Sequence, residues 1–345
     1  MQIKQTHFGT AGGRGEVALL GEIRERAARA SSGGLRLGIG DDCALLAPRR
    51  GEELAVTTDL SIAGRHFRLD WHQPEAVGHR ALARGLSDLA AMGARPLAAF
   101  LSLGLPRSLT RVAGRQRSWV QRFLDGLLTL AEAHNTPLAG GDLAEAPIAV
   151  ADIVLVGAVP RGRALLRSGA RPGHLVYVTG SVGGAAAGLA CLSDLAEAQP
   201  GRSKPPRIAK KLEAQLAPHL FPQPRIAQGL WLQRHSVAAA ALDVSDGLST
   251  DLTHLCEESS VAAEVDASLL PIHSAANLDQ ALHGGEDYEI LFTAPLAARV
   301  PRSIAGVPVT RIGCIKKLRV GHPVLTLITE QGSRPLDPRG WEHFS

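Results

Sequence analysis

Residues 74–105 read PEAVGHRALARGLSDLAAMGARPLAAFLSLGL, and this stretch indicates how the chain folds. Pro74 suits the first turn of a helix that runs to Met92, where Gly93 ends the apolar periodicity. A nearly continuous apolar run over 97–105 follows, which is typical of a buried strand. A helix joined directly to a buried strand predicts layered α/β structure rather than a helical bundle.

The same alternation continues on both sides of this stretch. Before residue 160, the pattern predicts a helix over 16–30, a strand over Leu54–Thr58, a long helix over about 108–134 and a strand over Ile148–Val159. After a turn-rich linker, it predicts strands at 175–179, 239–244, 261–266, 288–293 and near 307–313, with helices through Cys191, over 225–235 and over 247–258. Residues 196–224 are interpreted as a surface excursion with a short helix. We therefore predict an α/β protein, built as two α+β two-layer halves, with domains at 1–160 and 161–345.

Composition excludes several classes of protein. A chain of 345 residues with 45% hydrophobic and 20% charged residues is neither disordered nor a coiled coil. The net charge of +4 comes from scattered residues, without the basic run of a nucleic-acid arm, so no nucleic-acid partner is expected. No apolar stretch reaches the 18 residues of a membrane helix, so no membrane partner is expected either.

The cysteines and the N-terminus favour a cytoplasmic location. The four cysteines form no CxxC pair, which argues against a zinc site and against a disulfide framework. The first residues lack the apolar core of a signal peptide. We therefore expect a reducing compartment.

Five short segments place aspartates beside small residues, several of them next to predicted strands. They are Gly40-Asp41-Asp42, Thr57-Thr58-Asp59, Ser87-Asp88, Gly140-Gly141-Asp142 and Asp243-Val244-Ser245-Asp246. One such aspartate alone is most often a turn former or a helix cap, as Asp246 could be for helix 247–258. Carboxylates that converge repel one another, and a hard divalent cation is the natural compensation. Mg²⁺ usually bridges to substrate phosphates, so convergence would predict Mg-nucleotide chemistry.

Other candidates have equally plain structural interpretations. The segment Gly284-Gly285-Glu286-Asp287-Tyr288 could simply turn the chain into the next strand, and His66 could be a surface histidine. Arg167 lies in the linker, where a solvated charge is expected. The chain has no Walker A sequence, and the turn over 180–184 has the wrong glycine spacing for a dinucleotide fingerprint.

Taken together, the segments resemble the thiamine-monophosphate kinase family. The matching stretches are Gly38–Leu46, Thr57–Asp59 with Gly64–Phe67, Leu86–Ala94, Gly140–Asp142, Asp243–Leu248 and Gly284–Glu289, in the family's order. The resemblance extends from about Gly15 to Phe344. It implies the two-domain fold of aminoimidazole ribonucleotide synthetase-like proteins, with a homodimer formed through the N-terminal domain. It also implies transfer of the γ-phosphoryl group of ATP to thiamine monophosphate, the last step of thiamine diphosphate synthesis.

The resemblance also implies roles for individual residues. Positions that match metal ligands for several Mg²⁺ ions are Asp42, Thr57, Thr58, Asp59, Asp88, Asp142, Asp243 and Asp246. Nucleotide contacts match Gly141, Asp142, Arg167 and Ser245, and thiamine-phosphate contacts match His66, Glu286 and Trp341. No residue is expected to act as a covalent nucleophile, because the acceptor phosphate oxygen is already anionic.

Two alternatives stay open at this stage. The first is a relative with another acceptor. A selenophosphate synthetase-like protein would carry a reactive cysteine near its N-terminus, and residues 1–42 contain none; the hydrogenase-maturation relative would end in a cysteine, and this chain ends His343-Phe344-Ser345. Aminoimidazole ribonucleotide synthetase would lack the combined pattern of Gly140–Asp142 and Gly284–Glu286. A non-catalytic sensor would bind both ligands without turnover. Leu60, Gly85 and Leu143 motivate that second alternative, because polar side chains are common in the family at these positions.

Overall fold

A computed structural model gives the structure of the protein and describes residues 16–27, 30, 32–111, 117–198, 201 and 204–340. The elements up to residue 160 are α1 (Glu16–Ala27), β1 (Leu35–Leu37), β2 (Leu45–Leu46), β3 (Glu52–Ile62), α2 (Pro74–Ala91), β4 (Arg95–Leu105), α3 (Trp119–Ala133), β5 (Leu138–Glu145) and β6 (Val150–Pro160). The elements after residue 174 are β7 (Leu175–Thr179), α4 (Gly184–Glu197), α5 (Glu213–Leu220), α6 (Ile226–His235), β8 (Ala240–Asp243), α7 (Leu248–Ser259), β9 (Ala262–Asp266), α8 (Leu278–His283), β10 (Ile290–Ala294), β11 (Ser303–Ile304), β12 (Val307–Lys316), β13 (Leu325–Thr329) and β14 (Gly332–Pro335).

The first large sheet has the strand order β3-β6-β4-β5, antiparallel except for the parallel pair β4–β5. Helix α2 packs on one face of this sheet, and α3 packs on α2. Strand β3 turns Thr57 and Asp59 toward the α2 side, because successive side chains point to opposite faces. The other face exposes apolar side chains, with Leu54, Val56 and Leu60 exposed by 49%, 61% and 45%.

The second large sheet has the order β14-β13-β9-β12-β7-β10-β8, with β11 paired to β12. Its pairings are antiparallel except for β13–β9. Helix α7 packs on this sheet through the buried Leu248, Leu252 and Leu255. The strand β8 ends at Asp243, so the sheet delivers this carboxylate to the loop before α7.

The two sheets share a hydrophobic core although they share no strand. One buried cluster joins Leu86 and Leu89 of α2 to Leu232 of α6 and Phe292 of β10. Helix α6 approaches α2 so closely that a Cβ at Gly229 would lie 1.9 Å from a backbone carbonyl oxygen of α2. This contact holds the end of α2 beside β8. The division into domains at residue 160 stays a prediction.

The α/β class predicted from the sequence is confirmed, and several local predictions were wrong. The helix predicted from about residue 108 begins only at Trp119, because Ser118 and Gln121 form a capping box there. Residues 107–109 form a short 3-10 helix instead. Residues 196–224 were predicted to lie on the surface, but helix α5 within this segment contributes the buried Leu216 and Leu220 to the core.

No helix within the described ranges combines the length and the apolar character needed to cross a bilayer.

Candidate active site

A cleft of about 730 Å³ lies where the two halves of the molecule meet. Helix α2 forms one wall, and the segment after β3 continues it around residues 64–72. The opposite wall comes from α4, α5 and the loops after β8 and α8. Seven of the residues singled out from the sequence line this cleft: Asp59, His66, Asp88, Asp243, Ser245, Asp246 and Glu286.

Three carboxylates from separate elements form one end of the cleft. Asp59 comes from β3, Asp88 from α2 and Asp243 from the end of β8. Hydroxyl groups orient two of them: Thr57 Oγ1 donates to Asp88 Oδ2, and Ser87 Oγ donates to Asp243 Oδ2 at 2.6 Å. Asp59 lies inside β3, since the strand predicted to end at Thr58 continues to Ile62. We refer to Asp59, Asp88 and Asp243 as the aspartate cluster.

The cationic side chains near the aspartate cluster do not fully compensate the charge of its carboxylates. Burial and the neighbouring Asp88 together raise the pKa of Asp59 to about 6, although Arg84 opposes the shift. Burial likewise raises the pKa of Asp243, and repulsion from Asp88 adds to this effect. The pKa of Asp88 is raised by burial although Thr57 and nearby guanidinium groups oppose it. Oδ2 of Asp59 is buried without a hydrogen-bond partner. A cation would restore the ionised form of these groups.

The chemistry of these donors fits Mg²⁺. Across the described residues, no three Asp, Glu, His or Cys side chains lie close enough to hold an ion by themselves. Mg²⁺ in phosphoryl-transfer sites is commonly held by only one or two carboxylates, and waters and substrate phosphates complete its coordination. The unpaired carboxylate oxygens of the aspartate cluster therefore suit ions that arrive with a nucleotide.

Asp251 orders the loop that follows β8. Its Oδ2 accepts hydrogen bonds from the backbone N–H groups of Ser245, Asp246 and Gly247, each at 3.0 Å. Burial and the neighbouring carboxylates of Asp243 and Asp246 raise the pKa of Asp251 to about 8. The N-cap residue of α7 is Gly247 rather than Asp246, and the side chain of Asp246 lines the cleft. An acidic residue in the first turn of α7 was the signal available in the sequence.

The other end of the cleft is built around Glu286. One guanidinium nitrogen of Arg80 lies 2.6 Å from each carboxylate oxygen of Glu286. His219 Nδ1 lies 3.5 Å from Glu286 Oε2 without hydrogen-bond alignment, and His219 Nε2 lies 3.0 Å from His72 Nε2. Glu286 adopts φ of 67°, a conformation that costs energy for a non-glycine residue and is typical of functional sites.

This network fixes the charges at the Glu286 end. Burial alone would raise the pKa of Glu286, but Arg80 and His219 outweigh burial and hold it well below its usual range. Burial and Arg80 lower the pKa of His72 to about 3 and also lower that of His219. At neutral pH, the site therefore presents a carboxylate–guanidinium pair beside two neutral imidazoles.

An aromatic surface adjoins this network. Phe67 and Trp71 line the cleft, and the Arg68 guanidinium lies 4.4 Å from the centre of the Trp71 ring. The backbone N–H of Ile62 donates to His66 Nδ1 at 3.1 Å, which fixes that ring at the cleft wall. Such a surface can accept a flat heterocycle.

The glycine-rich turn at the start of α4 has a structural role. Asp287 accepts hydrogen bonds from the backbone N–H groups of Gly183 and Ala185, at 2.5 Å and 3.0 Å. The turn therefore anchors the loop that carries Glu286. Positive φ at Gly180 and Gly183, and a Cβ at Gly180 that would lie 1.9 Å from the Glu289 carboxylate, explain these glycines without a dinucleotide.

Other predicted site residues lie outside the cleft lining. Asp142 and Gly141 belong to β5, at the opposite edge of the sheet from β3. Three strand spacings separate these edges, about 14 Å. Asp142 is exposed and pairs in register with Ser102. Gly141 has φ of 146°, and a Cβ there would lie 1.9 Å from a β4 carbonyl oxygen.

Four further residues complete the comparison with the sequence predictions. Asp42 is exposed, and Thr58 points to the face of β3 opposite Thr57 and Asp59. Arg167 is exposed and does not line the cleft, but it is near enough to lower the pKa of Asp88. Trp341 lies outside the described residues. The assignment of these residues to ligands stays a prediction.

Arg80 and Arg84 of α2 line the cleft but were missed from the sequence. They repeat at intervals of four with the predicted Asp88, which places the three residues on one helix face. Ser87 was quoted only as the neighbour of Asp88, and His219 lay in the segment interpreted as a surface excursion. The four-residue spacing was the available signal for the two arginines.

Comparisons with known proteins identify relatives that cover nearly the whole chain. Residues 40–159 match the family model described as AIR synthase related protein, N-terminal domain. The thiamine-monophosphate kinase of Escherichia coli K12 is 38% identical over 96% of this chain and 98% of its own length. The crystal structure of thiamine-monophosphate kinase from Stenotrophomonas maltophilia K279a is 38% identical, with a TM-score of 0.75 over 88% of this chain and 95% of that one. A structure described as AaThiL complexed with AMPPCP and TMP is 30% identical, with a TM-score of 0.72 over 96% and 97% of the two chains.

Proposed function

The chain belongs to the thiamine-monophosphate kinase family, and on that basis we propose that its cleft transfers the γ-phosphoryl group of ATP to thiamine monophosphate. The products are thiamine diphosphate and ADP. The observation that carries this proposal is the convergence of Asp59, Asp88 and Asp243 at one end of a cleft of about 730 Å³. Buried carboxylates with raised pKa values suit a site that receives cations together with phosphates.

The reaction needs little covalent chemistry from the protein. An anionic phosphate oxygen of thiamine monophosphate forms a bond to the γ-phosphorus, and the bond from that phosphorus to the β,γ-bridging oxygen breaks. The electron pair of the broken bond leaves with ADP. Because the nucleophile is already ionised, no side chain has to remove a proton. The protein's task is to position two anions in line and to compensate their charge.

The aspartate cluster is proposed to hold Mg²⁺ through Asp59, Asp88 and Asp243, with Asp246 beside it. Mg²⁺ supplies charge neutralisation to the phosphates when it is bound. Thr57 and Ser87 hold the carboxylates of Asp88 and Asp243 in fixed orientations, so these oxygens need little rearrangement. Asp251 does the same for the Ser245–Asp246 loop.

Thiamine monophosphate is proposed to bind at the Glu286 end. His66, Phe67 and Trp71 give the heterocycle a partly apolar surface, with Trp341 as a further predicted contact. Arg80 compensates the charge of Glu286, so this carboxylate acts mainly as a fixed hydrogen-bond acceptor for the aminopyrimidine.

A homodimer is proposed through the exposed face of the first sheet. Leu54, Val56 and Leu60 give that face an apolar surface that a second copy could cover. Asp142 is exposed on the same face, away from the aspartate cluster of its own chain. We also propose a cytoplasmic location, because the four cysteines are free thiols.

An endpoint assay with ATP, Mg²⁺ and thiamine monophosphate tests the function. Chromatography should show equal amounts of thiamine diphosphate and ADP, and a chelator should abolish both. Asp59→Asn should lower kcat by about 100-fold or more, as loss of a charge-stabilising group does. Asp194→Asn is the matched control, because it removes an exposed carboxylate from α4. Binding of both substrates without turnover would instead indicate a sensor.

A further inference from the structure

Arg84 occupies a position between the two ends of the cleft. It lies on α2 one helical turn after Arg80 and one turn before Asp88, and all three residues line the cleft. Its side chain is 20% exposed. None of the roles described above uses this residue.

The contacts of Arg84 hold its guanidinium in place and leave donors free. Nη1 lies 3.3 Å from the carbonyl oxygen of Leu60 and 3.4 Å from Ser61 Oγ, and Nε lies 3.6 Å from Asp59 Oδ1. The Nη2 group has no hydrogen-bond partner among the described residues. The side chain is therefore anchored at one edge while its other edge can donate to a ligand.

Carboxylates from both ends of the cleft interact electrostatically with the Arg84 guanidinium. Burial disfavours the guanidinium charge, but the carboxylates of Asp59, Glu286 and Asp246 favour it, and the pKa of Arg84 is raised. Asp59 belongs to the aspartate cluster, and Glu286 belongs to the substrate end. A permanent cation at this place would meet phosphoryl oxygens that move from one end toward the other.

A purely structural role explains Arg84 less well. Its approach to Asp59 at 3.6 Å is too long for a hydrogen bond, and loosely held ion pairs contribute little to stability. The bonds to Leu60 and Ser61 are long as well, at 3.3 Å and 3.4 Å. These contacts position a half-buried guanidinium but leave its nearest carboxylate at 3.6 Å, which suits an additional anionic ligand.

We propose that Arg84 is a further catalytic residue, which donates hydrogen bonds to the phosphoryl group as it passes from ATP to thiamine monophosphate. This inference rests on the proposed function. Arg84 keeps its protons throughout and forms no covalent bond. Its guanidinium stabilises the charge on the phosphoryl oxygens, as arginines do in other phosphoryl-transfer enzymes.

Steady-state kinetics of Arg84→Gln and Arg84→Lys test the proposal. Arg84→Gln should lower kcat by about 100-fold, and Arg84→Lys should recover part of that loss because it keeps the charge without the planar fork. Arg95→Gln is the matched control, since Arg95 is 21% exposed and pairs with Glu52 outside the cleft. Its kcat should stay within about twofold of the parent protein.

A titration of Mg²⁺ separates the proposed role from an effect on the aspartate cluster. Removing a cation beside Asp59 should leave the half-saturating Mg²⁺ concentration unchanged or lower it, and calorimetric binding of MgATP should persist. An Arg84→Gln protein with kcat within about threefold of the parent would overturn the proposal. So would full recovery of kcat at high Mg²⁺, because Arg84 would then only organise the carboxylates. If the parent protein itself makes no thiamine diphosphate, the proposed function fails and the Arg84 role fails with it.

Discussion

Replacing Arg80 by methionine should separate the two ends of the cleft. Arg80 donates to both oxygens of Glu286 at 2.6 Å and to the backbone carbonyl of His66 at 3.2 Å. Methionine fills similar space but leaves Glu286 without its cation. Burial would then raise the pKa of Glu286, and His219 would lose the charge that helps to keep it neutral. The Glu286 end of the cleft should become less ordered, whereas the aspartate cluster should keep its contacts.

The expected magnitude follows from burial. Breaking a buried ion pair costs about 3–5 kcal/mol. Arg80 is 7% exposed but Glu286 is 28% exposed, so solvent screening reduces the expected loss to about 2 kcal/mol. In a chain of 345 residues, a loss of this size should lower Tm by about 3 °C. Loss of a fixed Glu286 should raise the KM for thiamine monophosphate by about tenfold or more, since a tenfold change is worth ~1.4 kcal/mol. The KM for ATP should change little.

The pH dependence of stability adds a check. The folded pKa of Glu286 is depressed, so the pair's contribution is full above the unfolded pKa of about 4.3 and is lost as pH falls through the folded pKa. In Arg80→Met burial raises the pKa of Glu286 instead, so the variant recovers stability as pH falls, and its difference in Tm from the parent protein should shrink between about pH 8 and pH 5.

Two variants control this experiment. Arg122→Met removes a paired guanidinium outside the cleft, where Arg122 holds Glu75 at 2.7 Å and 2.8 Å. It should leave both KM values unchanged. Arg80→Lys should keep most of the affinity because it keeps the charge. The reasoning is refuted if Arg80→Met loses stability as expected but keeps the parental KM for thiamine monophosphate.

Three further changes have expected outcomes. Ser87→Ala removes the 2.6 Å hydrogen bond to Asp243, and a hydrogen bond to a charged group is worth about 1.5–3 kcal/mol. The kcat at saturating Mg²⁺ should therefore fall by about tenfold or more. An unchanged kcat would contradict the role given to Ser87. Val56→Glu places a charge on the exposed face of the first sheet. Analytical ultracentrifugation should show a dimer for the parent protein and a monomer for the variant. A dimeric variant would place the interface elsewhere. Gly229→Ala would put a Cβ 1.9 Å from the carbonyl oxygen of Ala90. Urea unfolding should show that the free energy of unfolding falls by about 1–3 kcal/mol. An unchanged midpoint would mean that α2 and α6 can move apart without a loss of stability.

Periodicity predicted the elements whose pattern is local. Apolar spacing, together with Pro and Gly at the ends of elements, predicts the helix from Pro74 and the strands over 97–105 and 175–179. The start of α3 could not be placed by periodicity alone, because a capping box at Ser118 ends the preceding segment. The strand that carries Asp142 was missed because Gly140 and Gly141 indicate a turn in isolation.

The site depends on contacts between distant parts of the chain. The matching segments identified Asp59, Asp88, Asp243 and Glu286, all of which line the cleft. Their support was not visible in the sequence: Arg80 meets Glu286 across 206 positions, and His219 meets His72 across 147. Only the packing of α2 against β8, and of α5 against α2 and α4, brings these groups together. The same packing leaves Asp142 on another edge.

Transfer of label from [γ-³²P]ATP tests the central claim most directly. If the cleft performs direct transfer to thiamine monophosphate, the label should appear in the terminal phosphate of thiamine diphosphate, with one ADP formed for each label transferred. Asp59→Asn should suppress both products together. Label released as inorganic phosphate, or ADP formed without labelled thiamine diphosphate, would contradict the account.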